Sequence, residues 1–142
     1  MLYSSVSAAR GALDYAWAWP NFEIAELACR CGQRFCNGAY WHAPDFLNQL
    51  QELRDRCGKP LVISSAHRCP QWNALVGGAP FLRHKQIAVD VRLSGHDRTG
   101  LRARAEQLGF TGFGLGRSFI HLDLRARRTV WYYSGSKHLW QN

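Results

Sequence analysis

From Ile120 onward, the stretch Phe119-Ile120-His121-Leu122-Asp123-Leu124-Arg125 alternates between apolar and polar residues. That period marks a strand with one face on a core. Ile120, Leu122 and Leu124 form the apolar face, while His121, Asp123 and Arg125 share the other. The stretch Ile87-Ala88-Val89-Asp90-Val91-Arg92-Leu93 repeats the pattern. Its apolar face is Ile87, Val89, Val91 and Leu93, and Asp90 and Arg92 point away from it. Two half-buried strands of this kind need a covering layer.

Helices supply that layer. Pro44 suits a first helical position, and Phe46, Leu50, Leu53 and Cys57 recur at helical spacing before Gly58 and Pro60 end the run. Asp97 can cap a helix to about Leu108, closed by Gly109, and a shorter helix covers Pro70 to Val76. Asn21 can cap a short helix through Cys29. Further short strands are expected at Leu61–Ile63 and Thr129–Tyr133. Strands and helices do not alternate regularly, so the expected class is α+β, one compact domain with a small, mainly antiparallel sheet and flanking helices. Residues 1–20 read as an irregular or weakly helical arm and residues 21–142 as the domain.

Composition narrows the functional classes. Hydrophobic residues at 46% with charged residues at 20% exclude a disordered chain. No apolar stretch reaches the roughly 20 residues of a membrane span. A net charge of +8 implies an anionic partner: nucleic acid, an acidic membrane surface or acidic wall polymers. Met1 to Pro20 lacks the basic start and clean apolar run of a secretory signal. Synthesis in the cytoplasm, with any exit by another route, is the expectation.

The polar strand faces carry the chemistry. If the two strands pair, His84, Asp90, His121 and Asp123 converge. Two imidazoles and a carboxylate are a frequent ligand set for a catalytic zinc ion, with a fourth position left for water. Zinc lowers the pKa of that water towards about 7. A neighbouring carboxylate can take the remaining proton. Asp123, two residues from His121 on the same face, suits that task.

Several motifs in order strengthen this reading. They are Leu61-Val62-Ile63-Ser64-Ser65-Ala66-His67-Arg68-Cys69-Pro70-Gln71-Trp72-Asn73, Val76-Gly77-Gly78-Ala79, His84, Ala88-Val89-Asp90, Gly109-Phe110, Gly112-Phe113-Gly114 and Phe119 to Asp123. The chain resembles the zinc D-Ala-D-Ala peptidase family, in particular its small peptidoglycan peptidases from bacteria and phages. The resemblance runs from residue 22 to residue 131. It implies a compact α+β fold shared with the hedgehog signalling domain, one catalytic zinc, and cleavage of wall stem or cross-link peptides. It assigns the zinc ligands to His84, Asp90 and His121. It also sets Arg68 near the metal, where a guanidinium can bind substrate or stabilise an oxyanion. Ser65 and His67 line the same cleft. Asp123 is read as the proton-transfer group, because Ser118 stands where some relatives carry an acid. The segment between His84 and Asp90, Lys85 to Val89, is one residue shorter than the family pattern, and Leu82 stands where the family has a Ser.

Other features yield weaker expectations. Trp131, with Tyr132 and Tyr133, can stack on sugar rings as part of a substrate surface. Arg125, Arg127 and Arg128 form a basic edge suited to an anionic wall or outer-membrane surface. Cys29, Cys31 and Cys36, with Cys69 or His42 as a fourth partner, invite a second zinc, but C-x-C-x4-C matches no strong zinc spacing. Structural thiols or an occasional disulfide, not a second zinc, are the expectation. The full reading is a monomeric zinc metallopeptidase acting on peptidoglycan at the wall or periplasm, in lysis or virion entry. A catalytically silent wall-binding module is the first alternative. A basic nucleic-acid binder is the second, disfavoured because no nucleic-acid-binding signature is present.

Overall fold

The computed structural model describes residues 1–77 and 87–141. In chain order the elements are β1 (Leu2–Tyr3), α1 (Val6–Leu13), α2 (Ile24–Leu27), β2 (Tyr40–Trp41), α3 (Pro44–Cys57), β3 (Ile63–Ser65) and α4 (Pro70–Leu75). They continue with β4 (Val89–Arg92), α5 (Arg98–Gln107), β5 (Gly112–Leu115), β6 (Phe119–Asp123), β7 (Thr129–Tyr132) and α6 (Lys137–Trp140). The class is α+β, as expected. The main sheet has the order β3-β4-β6-β5-β7, with β7 parallel to β5 and the other pairs antiparallel.

One face of the sheet is apolar. Val89, Val91, Phe113, Leu115, Ile120 and Leu122 are buried there in one continuous core. Phe46, Leu47, Leu50 and Leu53 of α3 and Leu101 and Ala105 of α5 belong to the same core. Helix α3 begins at Pro44 and ends where Gly58 takes a left-handed φ of 63° and donates to the carbonyls of Arg54 and Asp55. Helix α5 starts where Asp97 accepts from the Gly100 amide at 2.9 Å.

Three differences from the sequence reading have physical causes. The first twenty residues hold a regular helix, α1, capped by Ser5, and they pack into the core through Ala9 and Trp19. Their anchor is the β1–β2 pair, reinforced by the Met1 ammonium donating to the His42 carbonyl at 2.9 Å. Helix α2 starts at Ile24, not after Asn21, because a reciprocal Glu23–Glu26 capping box fixes its first turn and Phe22 is buried outside it. Strand β5 was not foreseen, because Gly112 and Gly114 depress its strand signal.

Candidate active site

A single row of residues crosses the sheet. Ser65 of β3 lies opposite Asp90 of β4, Asp90 opposite His121 of β6, His121 opposite Gly114 of β5, and Gly114 opposite Trp131 of β7. Side chains alternate along each strand, so the row occupies the face away from the core. Four of the residues singled out from the sequence thus meet on one surface.

Their contacts are close. His121 Nδ1 lies 3.1 Å from Asp90 Oδ1. The Arg68 guanidinium stands 3.7 Å from Asp90 Oδ2, and its Nε donates to Ser65 Oγ at 3.1 Å. The Trp131 ring lies beside the His121 ring with centroids 5.0 Å apart. Asp90, His121, Arg68, Ser65 and Trp131 are all partly exposed, so the surface is open to a ligand. His84 lies outside the described residues.

Asp123 is different, because it is buried. Its Oδ2 is 2.8 Å from His121 Nε2. Its carboxylate also accepts the Arg125 backbone amide at 3.1 Å and the Arg125 guanidinium at 2.6 to 3.2 Å. Burial alone would raise this carboxyl group, but Arg125 and His121 outweigh it and hold the group well below the usual carboxylate range. Burial pulls His121 downward, yet hydrogen bonds to Asp123 and Asp90 raise it above its ordinary value. Asp123 is therefore an ionised acceptor, committed on two sides.

Two glycines make room for this arrangement. A Cβ at Gly112 would overlap the Asp123 carboxylate, and one at Gly114 would press on His121 and Trp131. Arg125, assigned to a basic edge in the sequence, is the principal partner of Asp123 and also lies over the Trp131 ring at 4.5 Å. The signal for that role was present: His121, Asp123 and Arg125 alternate on one strand face.

The donor set suits a metal. Nitrogen and oxygen ligands at roughly 2.0–2.2 Å from a tetrahedral ion stand about 3.4 Å apart. The Nδ1–Oδ1 separation of 3.1 Å is close to that span, on neighbouring strands that fix both side chains.

The peptidase M15 family model matches residues 20–123. The chain belongs to the peptidase M15 family, the zinc D-Ala-D-Ala peptidases. No curated protein and no solved structure matches it. The M15 match takes in Arg68, Asp90, His121 and Asp123 and stops before Arg125 and Trp131. Membership makes the chain a peptidase with peptide substrates.

Proposed function

We propose that this M15 chain is a zinc-dependent peptidase that hydrolyses amide bonds in peptidoglycan stem or cross-link peptides. The observation that supports it most is the Asp90–His121 pair, 3.1 Å apart on adjacent strands with Arg68 beside it. His84, Asp90 and His121 would hold the zinc. When bound, the ion polarises the scissile carbonyl and makes water acidic enough to ionise near neutral pH.

The chain's own groups do the rest. Arg68, steadied by Ser65, offers a fixed positive charge to a carbonyl oxygen whose charge grows during attack. Asp123 orients His121 by accepting from Nε2, which leaves Nδ1, on the Asp90 side, as the nitrogen that would face the metal once it has given up its proton. Strand facing, with Ser118 at the position where some relatives carry an acid, suggested Asp123 for proton transfer. The Arg125 pairing favours the orienting role, since a carboxylate with so low a proton affinity is a weak base. Trp131 offers a ring against which substrate can lie.

The proposed place of action is the cell wall or periplasm, reached by a phage-type or other export route, in lysis or virion entry. The net charge of +8 supports attraction to anionic wall polymers or an outer-membrane surface. The short His84–Asp90 segment favours one rival, a silent wall-binding module on the same fold. Digestion of purified peptidoglycan, with released peptides identified by mass, separates the two. The enzyme releases stem or cross-link peptides and shows by their masses which bond is cut. The silent module binds the wall and releases nothing.

A further inference from the structure

Away from the sheet face, four cysteines meet. The Sγ atoms of Cys29, Cys31, Cys36 and Cys69 all lie within 4.8 Å of one another. Three come from the loop between α2 and β2, and the fourth is the residue that caps α4. Cys29, Cys31 and Cys69 are buried, and Cys36 is partly exposed. We propose that these four cysteines form a structural zinc site, separate from the catalytic centre.

Distances support a metal over a disulfide. Four sulfurs at ~2.3 Å from a tetrahedral zinc stand roughly 3.8 Å apart. The Cys31 and Cys36 sulfurs are 3.5 Å apart, near that value and well beyond the roughly 2.0 Å of an S–S bond. Amides already point at the sulfurs, as suits thiolates that carry charge. The Cys69 amide donates to Cys29 Sγ at 3.2 Å, and the Ala39 amide donates to Cys36 Sγ at 3.5 Å. A zinc ion would convert all four thiols to thiolates and release protons.

The surroundings give a second reason. Among the described residues this cluster is separate from the main core; Cys36 and Trp72 pack partly buried against it, and its buried members are three cysteines and Ala39. Such small side chains bury little apolar area. The loop from Cys29 to Ala39 contains no helix or strand, and it turns at Gly32 and Gln33, both with positive φ. Gln33 is the one non-glycine in that conformation among the described residues. A metal would supply the fixing energy that apolar packing does not. It would tie this loop to Cys69, next to Arg68, and so hold the arginine segment of the active face. The C-x-C-x4-C spacing argued against a zinc and left the fourth partner open between Cys69 and His42; the fold brings Cys69 to the other three. Arg30 and Arg34, in the same loop, offset the double negative charge of a zinc tetrathiolate.

The test uses the reduced full-length protein and counts zinc in wild type and in His121→Ala, which lacks a catalytic ligand but keeps every cysteine. The expected result is about one tightly held zinc per chain in His121→Ala, lost when Cys36→Ser is added. Cobalt exchanged into either protein should give sulfur-to-cobalt charge-transfer absorption, which the catalytic set of nitrogen and oxygen ligands cannot produce. The wild-type cobalt spectrum holds the test open even if a variant misfolds. Zinc-free His121→Ala overturns the proposal. So does cobalt protein without charge transfer, or, in protein purified without reductant, a mass short of the hydrogens that two disulfides would remove.

Discussion

Asp90 and His121 face each other across neighbouring antiparallel strands, with Asp90 Oδ1 3.1 Å from His121 Nδ1. Thirty-one residues apart in sequence, they share one sheet face because each strand alternates in step with its neighbour. Ser65, Arg68 and Trp131 gather round that pair.

Arg68 should act on turnover and not on metal content. Arg68→Ala should leave zinc bound while lowering kcat by about 10²- to 10³-fold, the scale for losing one oxyanion donor. Arg68→Lys should recover only part, since a point charge does not reproduce the guanidinium fork. A variant with full kcat and a raised KM would show that Arg68 binds substrate without acting in the transition state.

Asp123→Asn tests orientation against proton transfer. An orienting carboxylate predicts zinc affinity weakened by about 10- to 100-fold, with activity restored by excess zinc. A proton-transfer group predicts full zinc content and a kcat that added zinc does not rescue. Metal content and rate measured on one sample decide between them.

Gly112→Ala should destabilise the fold by about 1–3 kcal/mol, because the new Cβ meets the Asp123 carboxylate. Gly11→Ala is the contrast. Gly11 sits within α1 with nothing within 4 Å of an added Cβ, so alanine there should stabilise by roughly 0.5–1 kcal/mol. Thermal unfolding of both variants measures the difference. Equal shifts would mean that the Asp123 site has slack.

Stability should fall on mild acidification in part through His42. Burial lowers this imidazole below its ordinary value, helped by the N-terminal charge. The unfolded chain therefore binds the proton first, from about pH 6.5 downward, and stability drops as pH falls through that window. His42→Gln removes the effect together with the contact to the Tyr40 hydroxyl at 2.9 Å. The variant should be less stable than wild type at pH 7, and the gap should narrow toward pH 5. A gap that widens on acidification would contradict the assignment.

The strands that carry the site were legible because alternation survives in Val89–Arg92 and Ile120–Asp123. Helices α3 and α5 were legible from Pro44, Gly58 and Asp97. Strand β5 was not, since its site-facing positions are glycines whose role is to leave space for Asp123, His121 and Trp131. The Arg125–Asp123 pairing shared the strand pattern but competed with a plain reading as surface charge. The cysteine cluster was only partly legible: the sequence left Cys69 and His42 as rival fourth partners, and Cys69 joins Cys29 across forty residues of chain. Periodicity describes what one element faces, not which distant loop returns to it.

The most direct test of the account compares peptide release from purified peptidoglycan by wild type and by His121→Ala, with zinc counted in each sample. The account predicts release by zinc-loaded wild type, and no release by a folded His121→Ala protein that has lost its catalytic zinc. Equal release by the two proteins, or none from fully zinc-loaded wild type, would contradict it.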